Sequence, residues 1–215
     1  MADKPEVHVR EPRKPHPLIG AEFIMAAAAP DQFPEPGPPE IAFAGRSNAG
    51  KSSAINALAA RNRLAFASRT PGRTQQIVFF KLRNGALVAD LPGYGYAAVP
   101  KALKEAWQEF LWGYIITRPT LVALVLMVDS RHGLKTQDEA LLDGFLPSGR
   151  PVLILATKVD KLTATERRTH LTALDLRLRE FCGPYMDAVT VIPFSVPKRE
   201  GIEAAETLLE HWLTR

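Results

Sequence analysis

The feature that most constrains this 215-residue chain is the stretch GRSNAGKSS, which follows the apolar segment IAFA and precedes a segment with helical spacing. Its first eight residues fit the pattern G-x-x-x-x-G-K-S. Glycines let a loop wrap closely around phosphates, and the N-terminus of the next helix adds aligned amides and a favourable dipole. We therefore predict a phosphate-binding loop made of Gly45, Arg46, Ser47, Asn48, Ala49, Gly50, Lys51 and Ser52. Lys51 would reach the outer phosphates, and Ser52 would ligate Mg²⁺.

From residue 41 onward, short apolar runs alternate with segments of helical spacing. Strands are expected at 41–44, 76–80, 86–91, 121–129, 152–157 and 188–194, and helices at about 51–60, 101–117, 137–145, 164–181 and 202–213. Six strands that alternate with five helices indicate an α/β fold, with a mostly parallel sheet covered by helices on both faces. Capping boxes are expected for Thr136 with Glu139 and for Thr163 with Glu166.

The first forty residues have a different composition, since they hold nine of the eighteen prolines. Proline disfavours regular helix and central strand, so we expect a proline-rich N-terminal arm at 1–40 and a nucleotide-binding domain at 41–215. The apolar stretch that follows the basic N-terminus is interrupted by Glu22, which disfavours a signal peptide. The apolar run at 121–128 is far shorter than the ~20 residues of a membrane span. Because the single cysteine, Cys182, cannot form an internal disulfide, a cytoplasmic location is expected.

Charge is distributed unevenly along the chain. The net charge is +4, yet residues 41–89 contain eight Lys or Arg and no Asp or Glu. Such polarity indicates an anionic partner, although part of the charge could serve the bound nucleotide alone. Six basic residues around the second predicted strand form a candidate phosphate-contacting surface: Arg61, Arg63, Arg69, Arg73, Lys81 and Arg83.

The segment DLPG, Asp90 to Gly93, closes the third predicted strand. Asp90 would hold Mg²⁺ through a coordinated water, and the Gly93 amide would sense the γ-phosphate. A lone D-x-x-G is weak evidence, but about forty residues after a phosphate-binding loop it becomes strong. Asp90, Leu91, Pro92 and Gly93 are therefore assigned to the nucleotide site.

The segment TKVD follows the fifth predicted strand and comprises Thr157, Lys158, Val159 and Asp160. A carboxylate here can accept two hydrogen bonds from guanine, whereas adenine offers neither donor and would leave the charge unpaired. The stem of Lys158 can pack on the base. An exposed charged loop is the alternative, and the order of the motifs favours guanine. The weakest motif, Phe194-Ser195-Val196, would bring backbone amides near the guanine O6.

A mobile loop is expected between the phosphate-binding loop and DLPG, in SRTPGRTQQIVFF. Pro71-Gly72 supplies turn chemistry, and a threonine is needed to complete the Mg²⁺ shell. Thr74 is preferred to Thr70 because it lies nearer the second strand. The assigned residues are Gly72, Arg73, Thr74, Gln75 and Gln76. An ordinary basic surface loop would explain the arginines but would leave the nucleotide without that ligand.

Taken together, GRSNAGKSS, TPGRTQQIVFF, DLPGYGYA, TKVDK and PFSVPKREGI closely resemble the EngB family of bacterial GTPases. The resemblance covers roughly Ala21 to the C-terminus. It implies a Ras-like sheet whose second strand is antiparallel, binding of GTP and Mg²⁺, a role in assembly of the large ribosomal subunit, and a requirement for normal cell division and septation. Ala49, where valine is usual, and Val196-Pro197, where a second serine is common, depart from the family pattern.

The catalytic candidates are Lys51, Thr74 and Asn48. Many GTPases have a glutamine directly after D-x-x-G, where this chain has Tyr94, so we expect slow intrinsic hydrolysis. Asn48 resembles an asparagine that coordinates K⁺ in some related GTPases, and a cation there would act where an arginine finger otherwise does. Supporting the geometry of the loop is the alternative role for Asn48. One of Tyr94 and Tyr96 is expected to offer a stacking surface to RNA or a ribosomal protein.

Trp107, Phe110, Leu111, Tyr114 and Ile115 recur at helical spacing and are expected in the core. The five histidines show no ligand spacing, so a zinc site is not expected. A monomer is expected. Two alternatives to an assembly GTPase stay open: a P-loop kinase of small molecules, and a division-site interaction protein in which nucleotide binding is structural.

Overall fold

A computed structural model describes residues 16–65, 76–95 and 101–214, and of residues 101–108 it describes the backbone alone. Seven strands are present in this part of the chain: β1 (Glu22–Ala27), β2 (Glu40–Gly45), β3 (Ile77–Lys81), β4 (Leu87–Asp90), β5 (Leu121–Asp129), β6 (Val152–Thr157) and β7 (Val189–Phe194). Five α-helices accompany them: α1 (Lys51–Leu58), α2 (Lys101–Thr117), α3 (Thr136–Phe145), α4 (Ala164–Cys182) and α5 (Ile202–Leu213). The predicted helices and strands after residue 40 are all found, with shifts of one or two residues at their ends.

The strands form one sheet in the order β1-β3-β4-β2-β5-β6-β7. Strands β4, β2, β5, β6 and β7 pair in parallel, whereas β3 pairs antiparallel with both β4 and β1. Since the parallel strands end at the same edge of the sheet, the loops that follow β2, β4, β5, β6 and β7 all begin there.

Helices cover both faces of the sheet, as the alternation of elements predicts. One face packs against α2, α3 and α4 through residues such as Leu111, Leu142 and Leu178. The other packs against α1 and α5 through residues such as Ile55 and Leu209. Strands β2, β5 and β6 are apolar along nearly their whole length because both faces are buried. The α/β fold with a mostly parallel sheet is thereby confirmed.

The sheet has seven strands rather than six, because part of the expected arm joins it. Glu22–Ala27 pairs with β3, from Glu22 opposite Lys81 to Ala27 opposite Ile77. No proline falls between residues 18 and 29, so this segment keeps the amides that a strand needs. Before it, Leu18 and Ala21 are buried, and after it Phe33 contacts the rings of Phe79, Phe110 and Tyr114. Part of the expected arm, within residues 16–40, thus contributes a strand and buried side chains to the domain, and residues 1–15 lie outside the described part.

The two predicted capping boxes had different outcomes. Thr163 caps α4, and its side chain accepts a hydrogen bond from the Glu166 amide while Glu166 accepts from the Thr163 amide. The pair Thr136 with Glu139 was wrong. The α3 N-cap is Lys135, one residue earlier, and its amide donates to Asp138 at 2.9 Å. Asp138 is also held by Tyr94, which explains why it takes the place expected for Glu139.

The expected core of α2 is present where it is described. Tyr114 and Ile115 are fully buried, Leu111 is 6% exposed, and Phe110 packs against the same cluster. The side chain of Trp107 lies outside the described part. Among the described helices, none combines the length and the hydrophobicity that a membrane crossing requires.

Candidate nucleotide-binding site

The phosphate-binding loop joins β2 to α1 at the carboxyl edge of the sheet. Gly45 lies directly against β5, since an added Cβ would be 2.8 Å from the Cβ of Met127 and 3.0 Å from its carbonyl oxygen. Gly50 has φ +100°, a left-handed conformation that favours glycine. Gly50 is the N-cap of α1 and makes no side-chain cap. The first-turn amides of α1 are therefore oriented at the loop with no side chain capping them, as an anion site requires.

Lys51 and Asp90 meet at this edge in a close ion pair. Lys51 is the first residue of α1 and Asp90 the last of β4, and their side chains are 11% and 9% exposed. Burial raises the pKa of Asp90, and the charge and hydrogen bond of Lys51 oppose that shift. The structure thus brings the lysine of the first motif against the aspartate of the second.

The residues after Asp90 run along the phosphate-binding loop. The Ser47 amide donates to the Tyr94 carbonyl at 2.8 Å, and the Tyr94 amide donates to the Gly45 carbonyl at 3.4 Å. A Cβ added to Gly93 would lie 3.3 Å from the Ser47 Cα, so the approach is close enough to favour glycine. The guanidinium of Arg46 lies beside Gly95. Leu91 is buried and Pro92 half-buried in this same segment.

The side chain of Tyr94 faces α3 and not the solvent. It is 7% exposed, and its hydroxyl donates to Asp138 Oδ1 at 2.6 Å. Burial and the neighbouring Asp138 carboxylate both raise the pKa of the Tyr94 phenol. Burial likewise raises the pKa of Asp138, against the hydrogen bonds from Tyr94 and the Lys135 amide. Of the two tyrosines, Tyr94 is therefore a packing anchor; Tyr96 lies outside the described residues.

The TKVD segment follows β6 and contacts the phosphate-binding loop. The Thr157 hydroxyl, buried at 3% exposure, donates to the Ala49 carbonyl at 2.6 Å. Lys158 has a left-handed φ of +61°, and its Nζ donates to the Asn48 carbonyl at 2.6 Å. Asn48 also has a positive φ, and its side chain is exposed. Two different motifs are thus joined by side-chain to backbone hydrogen bonds.

Asp160 is held by the segment that follows β7. The Ser195 hydroxyl donates to Asp160 Oδ1 at 2.7 Å, which lowers the pKa of that carboxyl. Ser195 is 1% exposed, and its amide donates to the Glu200 carbonyl at 3.1 Å. The Ser195 amide is already hydrogen-bonded within its own loop, so Ser195 acts in the site through its hydroxyl. Phe194 and Val159 are buried beneath the two segments, and Val196 follows Ser195 on the same loop.

Some predicted site residues cannot be placed. Gly72, Arg73, Thr74 and Gln75 lie outside the described residues, as does Arg69 of the basic surface; Gln76, at the start of the next described segment, is exposed. Ser52 follows Lys51 in the first turn of α1. The remaining predicted positions all lie in, or directly beside, the four loops at one edge of the sheet.

Two carboxylates at this edge were missed by the sequence interpretation. Asp129 ends β5 and contacts Lys158, and Asp138 on α3 contacts Tyr94. Asp129 had a visible signal, since it is the single acid that ends the apolar run LVALVLMVD. Asp138 had none, because two acids stand side by side at 138 and 139 and helical spacing does not choose between them.

Comparison with known proteins agrees with this geometry. Residues 40–158 match the family model described as 50S ribosome-binding GTPase. The probable GTP-binding protein EngB of Azoarcus sp. (strain BH72) is 49% identical over 193 residues, which cover 90% of this chain and 91% of the relative. The protein of the same name from Neisseria meningitidis serogroup B is 48% identical over 178 residues, covering 82% and 83%.

Solved structures show the same fold. A probable GTP-binding protein EngB superposes with a TM-score of 0.59 at 22% identity, covering 81% of this chain and 98% of that one. Era, solved with MgGDPNP and part of 16S ribosomal RNA, superposes with a TM-score of 0.62 at 20% identity, covering 84% and 58%. The phosphate-binding loop at the edge of a sheet of this topology, together with the GTPase family model over residues 40–158, defines the class of this chain as the P-loop GTPases. Within that class, it belongs to the EngB family of GTP-binding proteins.

Proposed function

We propose that this GTPase is a Mg²⁺-dependent switch that assists assembly of the large (50S) ribosomal subunit in the cytoplasm, as a monomer. The observation that carries the proposal is the convergence of the four motif loops at one edge, with Lys51 paired to Asp90 and Ser195 bonded to Asp160. The ribosomal part is supported by the family description, 50S ribosome-binding GTPase. A requirement in cell division and septation would be a consequence of that role.

The phosphates of GTP would lie over the loop from Gly45 to Ser52. Gly45 leaves no room for a side chain, Gly93 closely approaches the loop, and the uncapped amides of α1 face the same space. Lys51, now paired with Asp90, would contact the outer phosphates. We also assign Gly72, Arg73, Thr74, Gln75 and Gln76 to this site, as the sequence predicts.

Mg²⁺ fits the donor groups at this edge. Among the described residues, no cluster of three or more His, Cys, Asp or Glu could hold a metal ion. Mg²⁺ suits such a site, because it is usually bound through one or two protein oxygens, waters and substrate phosphates. Ser52 and Thr74 would hold it directly and Asp90 through a water. When bound, it neutralises charge that develops on the phosphate oxygens.

The guanine base would lie between TKVD and the loop after β7. Asp160 would accept from the base edge, and the Ser195 hydroxyl keeps its carboxylate oriented and ionised. Thr157 and Lys158 secure this segment to the phosphate-binding loop, so that base and phosphate subsites move together. The Val196 amide is the backbone donor that we assign to the guanine O6.

Intrinsic GTP hydrolysis, without a partner or a bound K⁺ ion, would be slow. The residue after D-x-x-G is Tyr94, whose hydroxyl is committed to Asp138 and buried. It therefore supplies no group to orient the attacking water, as glutamine does in many GTPases. Lys51, Thr74 and Asn48 are left as the catalytic candidates, with Asn48 as the residue that would bind K⁺.

Co-sedimentation tests the ribosomal assignment. The full chain is mixed with large-subunit precursors in Mg²⁺ buffer containing GDP or a non-hydrolysable GTP analogue, and the pelleted protein is quantified. The proposal expects pelleting with the GTP analogue and little with GDP. Equal pelleting in both nucleotides, or none in either, would contradict it. Transfer of phosphate from GTP to a small molecule instead of water would support the kinase alternative.

A further inference from the structure

Asp129 is a largely buried carboxylate at the nucleotide edge that no motif contains. It is the last residue of β5, lies opposite Thr157 in the register with β6, and its side chain is 12% exposed. A buried acid is costly unless it is paired. The partners of Asp129 therefore indicate its role at this edge.

Arg131 fixes the direction of this carboxylate. Its amide donates to Asp129 Oδ1 at 3.1 Å, its Nε to the same oxygen at 2.9 Å, and its Nη2 to Oδ2 at 2.7 Å. Partial burial alone would raise the pKa of Asp129, but the hydrogen bonds from Arg131 and Lys158 outweigh it and hold the pKa well below its usual range. The carboxylate is thus ionised and oriented at neutral pH.

The oriented carboxylate contacts Lys158 of the TKVD segment. Lys158 Nζ lies 3.0 Å from Asp129 Oδ2, and it also donates to the Asn48 carbonyl at 2.6 Å. The ammonium is therefore fixed between the end of β5 and the phosphate-binding loop. A lysine side chain without such partners samples many rotamers and loses that freedom when it is ordered.

We propose that Asp129 is a positioning residue for guanine nucleotide binding, which acts by holding Lys158 Nζ against the phosphate-binding loop before the nucleotide arrives. The inference rests on the proposed contact between the Lys158 stem and the base. Because the stem is ordered before the nucleotide binds, the entropy cost of ordering it no longer reduces the affinity. Asp129 itself would touch neither the base nor the phosphates.

A double-mutant cycle tests the proposal, with the affinity and dissociation rate of fluorescent GDP as readouts. Asp129→Asn should weaken GDP binding by about three- to tenfold, mainly through faster dissociation. The same substitution in a Lys158→Ala background should have almost no further effect, because its target is gone. Asp143→Asn, which removes an exposed carboxylate of α3, is the matched control and should leave binding unchanged.

The outcomes separate the inference from the function on which it rests. If Lys158→Ala leaves GDP affinity unchanged, the base contact and this inference both fail, although co-sedimentation still tests the ribosomal role separately. If Lys158→Ala weakens binding but the effect of Asp129→Asn is absent, or persists undiminished in the Lys158→Ala background, the positioning role alone is overturned. If Asp129→Asn does not fold, Asp129→Glu and Asp129→Ser replace it. Asp129→Glu retains the charge and should therefore bind GDP more tightly than Asp129→Ser.

Discussion

At the scale of single residues, the site is a set of charges that are buried only because each has a partner. Lys51 and Asp90 pair with each other, Asp160 accepts from Ser195, and Asp129 accepts from Arg131. Removal of one partner leaves an uncompensated charge, which costs more than the pair itself contributes. Substitutions here should therefore change stability and nucleotide binding in ways that depend on pH.

Lys51→Met should destabilise the protein more at neutral than at acidic pH. The pKa of Asp90 already lies above its ordinary 3.8 because of burial, and Lys51 restrains that rise. Without Lys51 the pKa rises further, so the folded state binds a proton more tightly than the unfolded state. Stability must then fall as the pH rises above the unfolded value of 3.8 toward the folded one. We expect a loss of about 3 kcal/mol at pH 7 and a much smaller loss near pH 4.

Urea unfolding without nucleotide, across this pH range, measures that dependence. The double variant Lys51→Met/Asp90→Asn has no carboxyl to titrate at this position and should lose the added slope. A constant destabilisation of Lys51→Met at all pH values would contradict the assignment of the effect to Asp90.

Asn48→Ala should abolish any advantage of K⁺ over Na⁺ in GTP turnover. The Asn48 side chain is exposed at the phosphate-binding loop, where a cation would neutralise charge as an arginine finger does. Steady-state hydrolysis in matched K⁺ and Na⁺ buffers gives the comparison. Equal turnover of the unsubstituted protein in both salts would remove Asn48 from the catalytic candidates.

At the scale of elements, two tyrosines bind buried carboxylates, one at the carboxyl edge of the parallel strands and one at their amino edge. Tyr94 donates to Asp138 at the nucleotide edge, and Tyr114 on α2 donates to Glu40 at the start of β2, 2.8 Å away. Glu40 also receives Arg118 and Thr120. Asp138 has the Lys135 amide as a second donor. Asp138 therefore depends more on the Tyr94 hydroxyl than Glu40 depends on the Tyr114 hydroxyl.

Tyr94→Phe should lower the free energy of unfolding by about 1–3 kcal/mol, because the buried Asp138 loses a donor. Tyr114→Phe, the matched control, should cost less because Glu40 keeps Arg118 and Thr120. Neither change should alter GTP turnover by more than about twofold, since both hydroxyls are committed to carboxylates. Chemical denaturation and single-turnover hydrolysis give the two quantities. A Tyr94→Phe variant of normal stability that hydrolyses GTP at least about tenfold more slowly would place the phenol in the chemistry.

Most helices and strands could be predicted from the sequence, and the features that could not be predicted have physical explanations. Short apolar runs distinguished the strands from the segments of helical spacing after residue 40, as with the nine-residue β5, which is apolar along nearly its whole length. Proline content concealed β1, because the count over forty residues hid the proline-free segment at 18–29. Motif order indicated the site loops, but Asp138 depends on a tertiary contact with Tyr94 that no local pattern encodes.

At the scale of the whole molecule, one end of the sheet carries basic residues from the segment 41–89, which contains no Asp or Glu. Among the described residues, Arg61, Arg63, Lys81 and Arg83 are exposed near β1 and β3, and Arg61 lies 3.9 Å from Glu22. At the opposite end, helix α4 connects β6 to β7, and its residues Arg167, Arg177 and Arg179 are paired with carboxylates. This asymmetry suits a surface that contacts RNA phosphates.

The proposed binding to ribosomal precursors should therefore weaken steeply as salt is added. Lys81→Glu/Arg83→Glu should reduce co-sedimentation and flatten the salt dependence. Arg168→Glu on α4 reverses one exposed charge at the far end and should change neither. A salt response that is flat for the unsubstituted protein, or that is equally lost in Arg168→Glu, would exclude this surface.

Calorimetric titration of the Mg²⁺-loaded protein with GTP and ATP tests most directly whether the converging loops form a guanine nucleotide site. We expect GTP to bind at least about a hundredfold more tightly than ATP, because adenine leaves Asp160 unpaired. Asp160→Ala should remove most of that preference while the phosphate contacts remain. Equal binding of GTP and ATP by the unsubstituted protein would contradict the account.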